Sequence, residues 1–347
     1  MEKIRLGKTG IRVSRIGFGG IPIQKSSEEE AVHIVRSCFD QGINFFDTSR
    51  VYTTSEERIG KALAGHREEA IIATKTVSRT AEKIADDLAT SLKHLGTDYV
   101  DLYQFHNVST EDDLKTVIAP GGLLDVVRQA KKEGRVRHIG ITSHRLDVAK
   151  EAVKADCFAT IMVALNFVNT EAADELLTMA QENDTGVIIM KSMAGGMLDN
   201  PVLALKYLMQ FPNVLPLIGI AKEGEMEENI RIVEVDEPIT EDERQEMDRI
   251  RKKLGTGFCR MCNYCQPCPQ QIMISAIMYT KVAVTRFDPK RIFEGEWNTF
   301  MEKVPGCIDC GECEERCPYN LPIRERIKEA AKEYTAAKKV YLEQRGE

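Results

Sequence analysis

A chain of 347 residues is longer than the chains that usually fold around a single hydrophobic core. We therefore expect one large domain joined to a smaller one. The formal net charge of −7 argues against a nucleic-acid partner, because a phosphate backbone calls for a concentrated basic surface. No stretch reaches the roughly 18–20 apolar residues of a membrane span, and residues 1–5 lack the apolar core of a signal peptide. We therefore expect a cytoplasmic protein without a membrane partner.

Residues 15–235 alternate short apolar runs with charged segments at helical spacing. The runs predict eight strands: Arg15–Gly20, Ile43–Ser49, Ala70–Lys75, Tyr99–His106, Val136–Ser143, Thr160–Phe167, Val187–Met193 and Val214–Ala221. Helices are predicted between them at Ser27–Gln41, Thr80–Leu95, Leu123–Glu133, Thr170–Asn183 and Asn200–Phe211. This repetition favours an α/β fold of the (β/α)8 TIM-barrel type, for which about 250 residues is typical. A doubly wound sheet is the competitor, but no G-x-G-x-x-G motif follows a strand.

Ionisable side chains end three successive predicted strands. Asp47 and Lys75 close the second and third strands, His106 closes the fourth, and Tyr52 follows in the loop after Asp47. Because barrel chemistry is built at the carboxyl ends of the strands, these side chains should converge on one rim. A carboxylate keeps a lysine charged, and that ammonium eases the ionisation of a nearby tyrosine, which then serves as a general acid. Each residue alone would more often be an ordinary polar group, but their joint placement predicts a catalytic site.

Eight of the ten cysteines lie in two runs near the carboxyl end of the chain. The runs are Cys259, Cys262, Cys265 and Cys268, then Cys307, Cys310, Cys313 and Cys317, and each is followed by proline. This spacing is typical of 4Fe–4S ligation and predicts two clusters in a reducing compartment. In two-cluster ferredoxins the fourth cysteine of one run ligates the other cluster, so Cys317 would join the first three cysteines and Cys268 the second three. Two zinc sites are the alternative, because C-x2-C pairs also bind Zn²⁺.

The segment that carries the cysteines is expected to be mainly helical. Helices are predicted at Gln271–Thr280 and Arg291–Lys303, between the two runs. The tail Leu321–Gly346 mixes Lys, Arg and Glu at helical spacing and predicts a solvated helix that packs on the barrel. The expected domains are a barrel over residues 1–240 and a smaller two-cluster ferredoxin-like domain with a C-terminal helix over residues 255–347.

Two motifs in the first domain resemble those of the aldo-keto reductases. Residues 47–60, DTSRVYTTSEERIG, are similar to the family's D-T-A-x-x-Y and S-E-x-x-L-G signatures. Residues 8–19, KTGIRVSRIGFG, resemble its opening K-T-G-x-x-V-S-x-x-G-x-G. The resemblance covers roughly residues 3–235. With the cysteine runs, it extends to the branch of the family that carries a C-terminal 4Fe–4S ferredoxin-like domain.

The resemblance implies an oxidoreductase that interconverts a carbonyl and an alcohol. In that scheme Tyr52 donates the proton, Lys75 and Asp47 ease its ionisation, and His106 orients the carbonyl. A nicotinamide cofactor, NAD(P)H, would lie across the strand ends and supply the hydride. The positions that match its contacts are Ser143, Asn166, Lys191, Gly219, Lys222 and Asn229.

The chain departs from the family pattern in the cofactor site. The family commonly has Ser-Asn after its fifth strand, whereas here Ser143 is followed by His144, a candidate for substrate or cofactor contact. Met162 stands where a Gln is common. Lys191 stands where an aromatic ring commonly stacks on the nicotinamide, and a point charge cannot replace a flat ring. Several glutamates surround Lys222, which argues against NADP.

Two hypotheses of function remain at this point. The first is an oxidoreductase that acts on a small carbonyl or alcohol at Tyr52, with electrons from NAD(P)H, from the iron–sulfur clusters, or from both. The second is an electron-transfer protein whose barrel is a scaffold or partner-binding module. The complete set of four catalytic candidates favours the first. Because nicotinamide passes two electrons and a cluster one, coupling them calls for a flavin or a redox partner protein, unless the clusters are structural.

Overall fold

The computed structural model of the protein describes residues 1–254 and 257–345. The chain divides into two compact units, Met1–Arg244 and Gln245–Glu347. The strands are β1 (Lys3–Arg5), β2 (Arg12–Ser14), β3 (Gly17–Gly19), β4 (Phe45–Asp47), β5 (Ile71–Thr76), β6 (Val100–Phe105), β7 (Val136–Thr142), β8 (Thr160–Ala164), β9 (Gly186–Met190) and β10 (Val214–Gly219). In the part of the chain that the structure describes, no helix is both long and apolar enough to cross a membrane.

The helices alternate with the strands in the first unit and dominate the second. They are α1 (Glu28–Asp40), α2 (Ser55–Ala62), α3 (Ala81–Leu95), α4 (Glu111–Ile118), α5 (Leu123–Lys132), α6 (Leu146–Lys154), α7 (Leu176–Glu182), α8 (Pro201–Met209), α9 (Glu225–Val235) and α10 (Glu241–Leu254). Those that follow are α11 (Ile274–Met278), α12 (Thr280–Arg286), α13 (Pro289–Phe293), α14 (Glu296–Glu302), α15 (Glu312–Glu315) and α16 (Ile323–Arg345).

Strands β3 to β10 close into a parallel barrel in the order β10-β3-β4-β5-β6-β7-β8-β9. Each of the eight predicted strands is present, so the (β/α)8 prediction is confirmed. Strands β5 and β6 are buried along their whole length, as expected for barrel strands that are covered on both faces. The polar residues inside these two strands therefore lie in a buried environment, and this sets the chemistry of the site.

Several helices begin at a residue whose side chain caps them. Ser27 forms a capping box with Glu30 at the start of α1, and Thr80 and Asn200 cap α3 and α8. The segment Thr170–Asn183, predicted as one helix, is a short 3-10 turn followed by α7. Helices α2, α4 and α6 were not predicted, because amphipathic periodicity is hard to recognise over eight or nine residues.

The antiparallel hairpin of β1 and β2 closes the amino-terminal end of the barrel. Leu6 and Val13 are fully buried in one cluster with side chains from β4, β5, β6, β8, β9 and β10. Gly7 has a φ of +49° and lies so close to Gly186 that an added Cβ would be 2.1 Å from the Gly186 nitrogen. Only glycine fits there. The opposite, carboxyl-terminal end of the barrel is the one that carries the predicted catalytic residues.

The second unit is mainly helical, as predicted. The expected helix Arg291–Lys303 is divided into α13 and α14 at Gly295, where an added Cβ would be 2.6 Å from the Arg291 carbonyl. The tail forms helix α16, and its last predicted residue, Gly346, lies outside the described residues.

The buried side chains of the tail helix pack within the second unit. The buried side chains of α16 are Ile323, Ile327 and Tyr334, and all three belong to the hydrophobic core of the second unit. The Tyr334 hydroxyl donates to the Ile292 carbonyl at 3.1 Å. These few apolar residues were masked in the sequence by the many charged residues around them, and they make α16 part of the cysteine-bearing unit.

Candidate active site

The predicted catalytic residues meet at the carboxyl ends of β4, β5 and β6, which are neighbours in the barrel. Lys75 Nζ lies 2.5 Å from Asp47 Oδ1 and donates to the Thr48 carbonyl at 2.7 Å. Gln104 Nε2 donates to the other Asp47 oxygen at 3.3 Å. Gln104 was not predicted as a site residue, although a polar side chain inside the apolar strand β6 is a signal that could have identified it.

The Asp47–Lys75 ion pair is removed from solvent. Asp47 is 4% exposed and Lys75 is 1% exposed. Burial raises the pKa of Asp47 and lowers the pKa of Lys75, because an isolated charge in this environment would be costly, and the attraction between the two opposes both shifts. At 2.5 Å the charged pair is the state that the geometry favours, so an ammonium is held below the rim.

Tyr52 lies above this ammonium and beside His106. Lys75 Nζ is 5.0 Å from the centroid of the Tyr52 ring. The Tyr52 and His106 rings approach edge to face, with centroids 5.8 Å apart and an angle of 83° between their planes. Ser49 Oγ lies 3.0 Å from His106 Nδ1 and orients the imidazole. A part-buried phenol beside an imidazole and a buried lysine is suited to proton transfer at a carbonyl oxygen.

A buried ion pair holds the loop that carries Tyr52. Glu56, which is 1% exposed, pairs with Arg50 and accepts a hydrogen bond from Thr74 Oγ1 at 2.7 Å. The Arg50 backbone N–H donates to the Lys75 carbonyl at 3.0 Å. The loop is therefore fixed to β5 next to Lys75. Sequence reasoning did not assign a role to Arg50 or Glu56, since nothing in their spacing shows that both are buried.

Replacing Lys75 by Met should destabilise the barrel by about 3–5 kcal/mol, because it leaves the Asp47 carboxylate buried without its partner. The double variant Asp47→Asn with Lys75→Met should recover most of this loss, since neither residue then carries a charge. Urea unfolding followed by circular dichroism measures both. Equal destabilisation of the single and double variants would contradict the ion pair as the cause.

Two of the predicted cofactor contacts use their polar groups within the protein. Ser143 Oγ donates to the Val108 carbonyl at 2.7 Å and accepts from the Arg145 N–H at 3.1 Å. Asn166 accepts two backbone N–H bonds through Oδ1 in the turn that follows it. Its Nδ2 donates to the Lys191 carbonyl at 3.0 Å. The Ser143 hydroxyl proton is thus used within the protein, whereas Asn166 Nδ2 keeps a second N–H for the predicted contact with a nicotinamide carboxamide.

The remaining cofactor candidates lie after β10. Gly219 ends that strand, Lys222 is exposed in the loop, and Asn229 is buried on α9. The Glu225 carboxylate accepts from the backbone N–H groups of Ala221 at 2.8 Å and Lys222 at 3.1 Å. A phosphate commonly binds such groups in barrels, at the start of a helix after the last strands. This segment fits the adenosine end of a nucleotide only in part, because a carboxylate already uses two of its donors.

The eight clustered cysteines line two cavities in the second unit. Cys259, Cys262, Cys265 and Cys317 line one of them. Cys268, Cys307, Cys310 and Cys313 line the other, which Cys265 also borders. The structure thus brings together the two crossed sets that the sequence predicts. Burial and the neighbouring Cys259 and Cys262 raise the pKa of Cys265 to about 12.

Four thiols of one crossed set line each cavity. Four thiolates are the ligand set of a 4Fe–4S cluster. They are also one of the ligand sets of a structural zinc ion, so the cysteines alone fit both kinds of centre.

The chain matches two known families in its two units. Residues 15–202 match the Aldo/keto reductase family, and residues 258–322 match the 4Fe-4S dicluster domain. Over 217 residues the chain is 34% identical to the L-galactose dehydrogenase of Arabidopsis thaliana, covering 57% of this chain and 67% of that protein. It is 29% identical over 217 residues to the aldo-keto reductase YhdN of Bacillus subtilis, covering 57% of this chain and 64% of that one.

Solved structures show the same fold. The holo form of aldo-keto reductase AKR11C1 from Bacillus halodurans is 27% identical with a TM-score of 0.63, covering 72% of this chain and 96% of that chain. The aldo-keto reductase of Klebsiella pneumoniae in complex with NADPH has a TM-score of 0.61 at 20% identity, covering 72% and 95%. A TIM-barrel oxidoreductase is the class that these findings define. The chain belongs to the aldo/keto reductase family and carries a C-terminal 4Fe–4S dicluster domain.

Proposed function

We propose that the chain interconverts a carbonyl and an alcohol at Tyr52, with electrons from NAD(P)H, from iron–sulfur clusters, or from both. The observation that carries this proposal is the buried Asp47–Lys75 ion pair beneath Tyr52, with His106 beside the ring. Relatives named as a dehydrogenase and as aldo-keto reductases support the reaction class. In this scheme residues 1–240 form the catalytic domain and residues 255–347 the cluster domain.

The reduction requires the equivalent of a hydride at the carbonyl carbon and a proton at its oxygen. Tyr52 supplies the proton, and the Lys75 ammonium stabilises the phenolate that remains. His106 orients the carbonyl oxygen toward the Tyr52 hydroxyl. Because Tyr52 is only part-buried, solvent can return the proton after each turnover.

The proposed ligands of the clusters are the two crossed cysteine sets. When bound, a nicotinamide supplies two electrons as a hydride, whereas a 4Fe–4S cluster supplies one electron at a time. A flavin or a one-electron partner protein would join the two kinds of transfer. The internal hydrogen bond of the Ser143 hydroxyl to the Val108 carbonyl removes one predicted carboxamide contact and so supports the clusters as a source of electrons.

The test is reduction of a panel of aldehydes and ketones by the full chain, purified without oxygen and with iron and sulfide measured. Three reductants are compared: NADH, NADPH and dithionite-reduced methyl viologen. We expect turnover with at least one of them that depends on Tyr52. Failure of every reductant with every carbonyl, and of the reverse oxidation of the alcohols, would contradict the proposal.

The alternative is an electron-transfer protein whose barrel has no hydride chemistry. The internal hydrogen bond of the Ser143 hydroxyl supports it, because it removes one of the predicted contacts of the nicotinamide. EPR of the reduced clusters separates the two proposals. A cluster signal that changes on turnover with a carbonyl supports the enzyme, and a signal that changes only with a partner protein supports the alternative.

We expect the chain to bind NADH more tightly than NADPH, because the loop after β10 presents Glu225 where a phosphate would seek donors. Glu225→Arg frees the N–H groups of Ala221 and Lys222 and adds a guanidinium. It should tighten NADPH binding by about tenfold or more, the value of one charge-assisted hydrogen bond. Isothermal titration calorimetry measures this, with the exposed Glu182→Arg as the matched control. Unchanged NADPH affinity would refute the role of Glu225.

A further inference from the structure

His94, near the end of α3, lies between charged side chains on both sides of Tyr52 in the chain. Its Nδ1 is 3.1 Å from Arg50 Nη1, and its Nε2 is 3.4 Å from Glu57 Oε1. The same Nδ1 is 3.8 Å from Glu56 Oε2, which belongs to the carboxylate that pairs with Arg50. The imidazole therefore connects α3 both to the Tyr52 loop (residues 48–54, between β4 and α2) and to the start of α2.

These contacts require one particular form of the imidazole. A guanidinium has only donors and keeps its charge, so His94 Nδ1 must be the acceptor of the bond from Arg50. The ring proton is then on Nε2, which faces the Glu57 carboxylate. A protonated imidazole has no lone pair to offer Arg50, so His94 is neutral in this arrangement.

The surroundings of His94 favour the same neutral form. Burial lowers the pKa of His94, and the positive charges of Arg50 and Lys93 lower it further, against the opposing effect of Glu57. The side chain is only part-buried, so a proton from solvent can reach it. The imidazole is therefore able to change its charge within the folded protein.

The other titratable groups that face this imidazole and its partner keep one charge state near neutral pH. Glu56 is paired with Arg50, and the Asp87 carboxylate accepts from Ser78 Oγ at 2.7 Å. The phenol of Tyr103 on β6 stays neutral, because burial raises its pKa. Within this cluster the imidazole is thus the group that titrates near neutral pH.

Packing keeps the imidazole next to the Tyr52 loop. Helix α2 lies against α3 beside His94, because an added Cβ on Gly60 would be 2.5 Å from the Leu95 carbonyl. The Arg50 backbone N–H donates to the Lys75 carbonyl at 3.0 Å. A change at the Arg50 guanidinium therefore acts on the part of the loop that lies next to the buried ion pair.

We propose that His94 is a positioning residue for Tyr52 and that it makes the Tyr52 loop sensitive to acid. The neutral imidazole holds Arg50 against Glu56 and so fixes the loop. Protonation turns Nδ1 into a donor that faces the guanidinium, and the repulsion between two cations loosens the loop. The effect of this change on catalysis rests on the proposed function.

The direction of the pH dependence follows from the lowered pKa of His94. A histidine in a loosened loop returns toward its ordinary pKa of 6.5, whereas the histidine in the fixed loop has a lower one. The fixed loop is therefore fully favoured above pH 6.5. It loses this advantage as the pH falls below that value toward the lower pKa of the fixed form.

NMR and hydrogen exchange test the proposal on the full chain without any turnover. Long-range ¹⁵N–¹H spectra at about pH 7.5 should show His94 neutral, with its proton on Nε2. Hydrogen exchange followed by mass spectrometry measures protection of peptides that span residues 48–57. After correction for intrinsic exchange rates, this protection should fall about threefold or more between about pH 7.5 and about pH 5.5.

Two variants of His94 and one control separate charge from contact. In His94→Gln the amide oxygen can accept from Arg50 and the amide NH2 can donate to Glu57, but the group does not titrate. This variant should keep the loop protected at both pH values, whereas His94→Leu should leave it poorly protected at both. His33→Gln, which replaces an exposed histidine that pairs with Glu223, should keep the pH dependence of the unmodified chain.

Activity tests the effect on catalysis separately. In the unmodified chain kcat/KM for carbonyl reduction should fall on the acid side by up to about tenfold per pH unit, and in His94→Gln this fall should be absent. Protection that is independent of pH, that falls equally in His94→Gln, or a ring proton on Nδ1 would overturn the role of His94. A chain that reduces no carbonyl contradicts the proposed function, while the exchange data still decide on His94.

Discussion

Tyr52→Phe is expected to lower kcat for carbonyl reduction by about 10²–10⁴-fold, the usual contribution of one positioned general acid. Phenylalanine keeps the edge-to-face contact with His106 and the ring above Lys75, and it removes only the hydroxyl. The loop should keep its conformation, because its backbone and the Arg50–Glu56 ion pair hold it to β5. Substrate affinity should therefore change little, and the loss should fall on the chemical step.

Single-turnover kinetics under anaerobic conditions measures this loss directly, because it separates chemistry from product release. Tyr103→Phe is the matched control: Tyr103 is 1% exposed, lies on β6, and its hydroxyl donates to the Ile84 carbonyl at 3.4 Å. It removes the same hydroxyl without touching the proposed reaction. If Tyr52→Phe reduced the carbonyl as fast as Tyr103→Phe, Tyr52 would not be the acid.

The barrel was predictable because its signals are local. Apolar runs of strand length, helix caps such as Ser27 and Thr80, and the regular alternation of the two recur throughout residues 15–235. Because barrel strands are buried on both faces, each one appears in the sequence as a nearly continuous apolar run. The packing partner of α16 was not predictable, since its three buried residues carry no information about which core they enter.

Some features of the candidate site could also be predicted from the sequence, and others could not. Asp47, Lys75 and His106 could be identified because the ends of parallel strands must share a rim. The interpretation of Ser143 and Asn166 as cofactor contacts failed to anticipate their hydrogen bonds to nearby backbone groups. A sequence shows which polar groups are present but not whether the fold already satisfies them.

The proposed crossed ligation of the clusters predicts a large loss of iron in two double cysteine variants. In the proposed scheme Cys259 and Cys317 belong to one set, so Cys259→Ser with Cys317→Ser should lose a single cluster. Cys307 and Cys317 belong to different sets, so Cys307→Ser with Cys317→Ser should lose both. Iron should fall from about eight atoms per chain to about four in the first variant and to near zero in the second.

Ligation within each run predicts the opposite outcome for the same two variants. Cys259 and Cys317 would then serve different clusters, and Cys307 and Cys317 the same one. Measuring iron and sulfide and recording EPR of the reduced protein distinguishes the two schemes. The control is Cys157→Ser, which lies outside both runs and should keep its full iron content. The cavities favour the crossed scheme, because Cys317 lines the space shared with Cys259 and Cys262. Crossing also ties the two runs together through both clusters, so losing both clusters should destabilise the second unit far more than losing one.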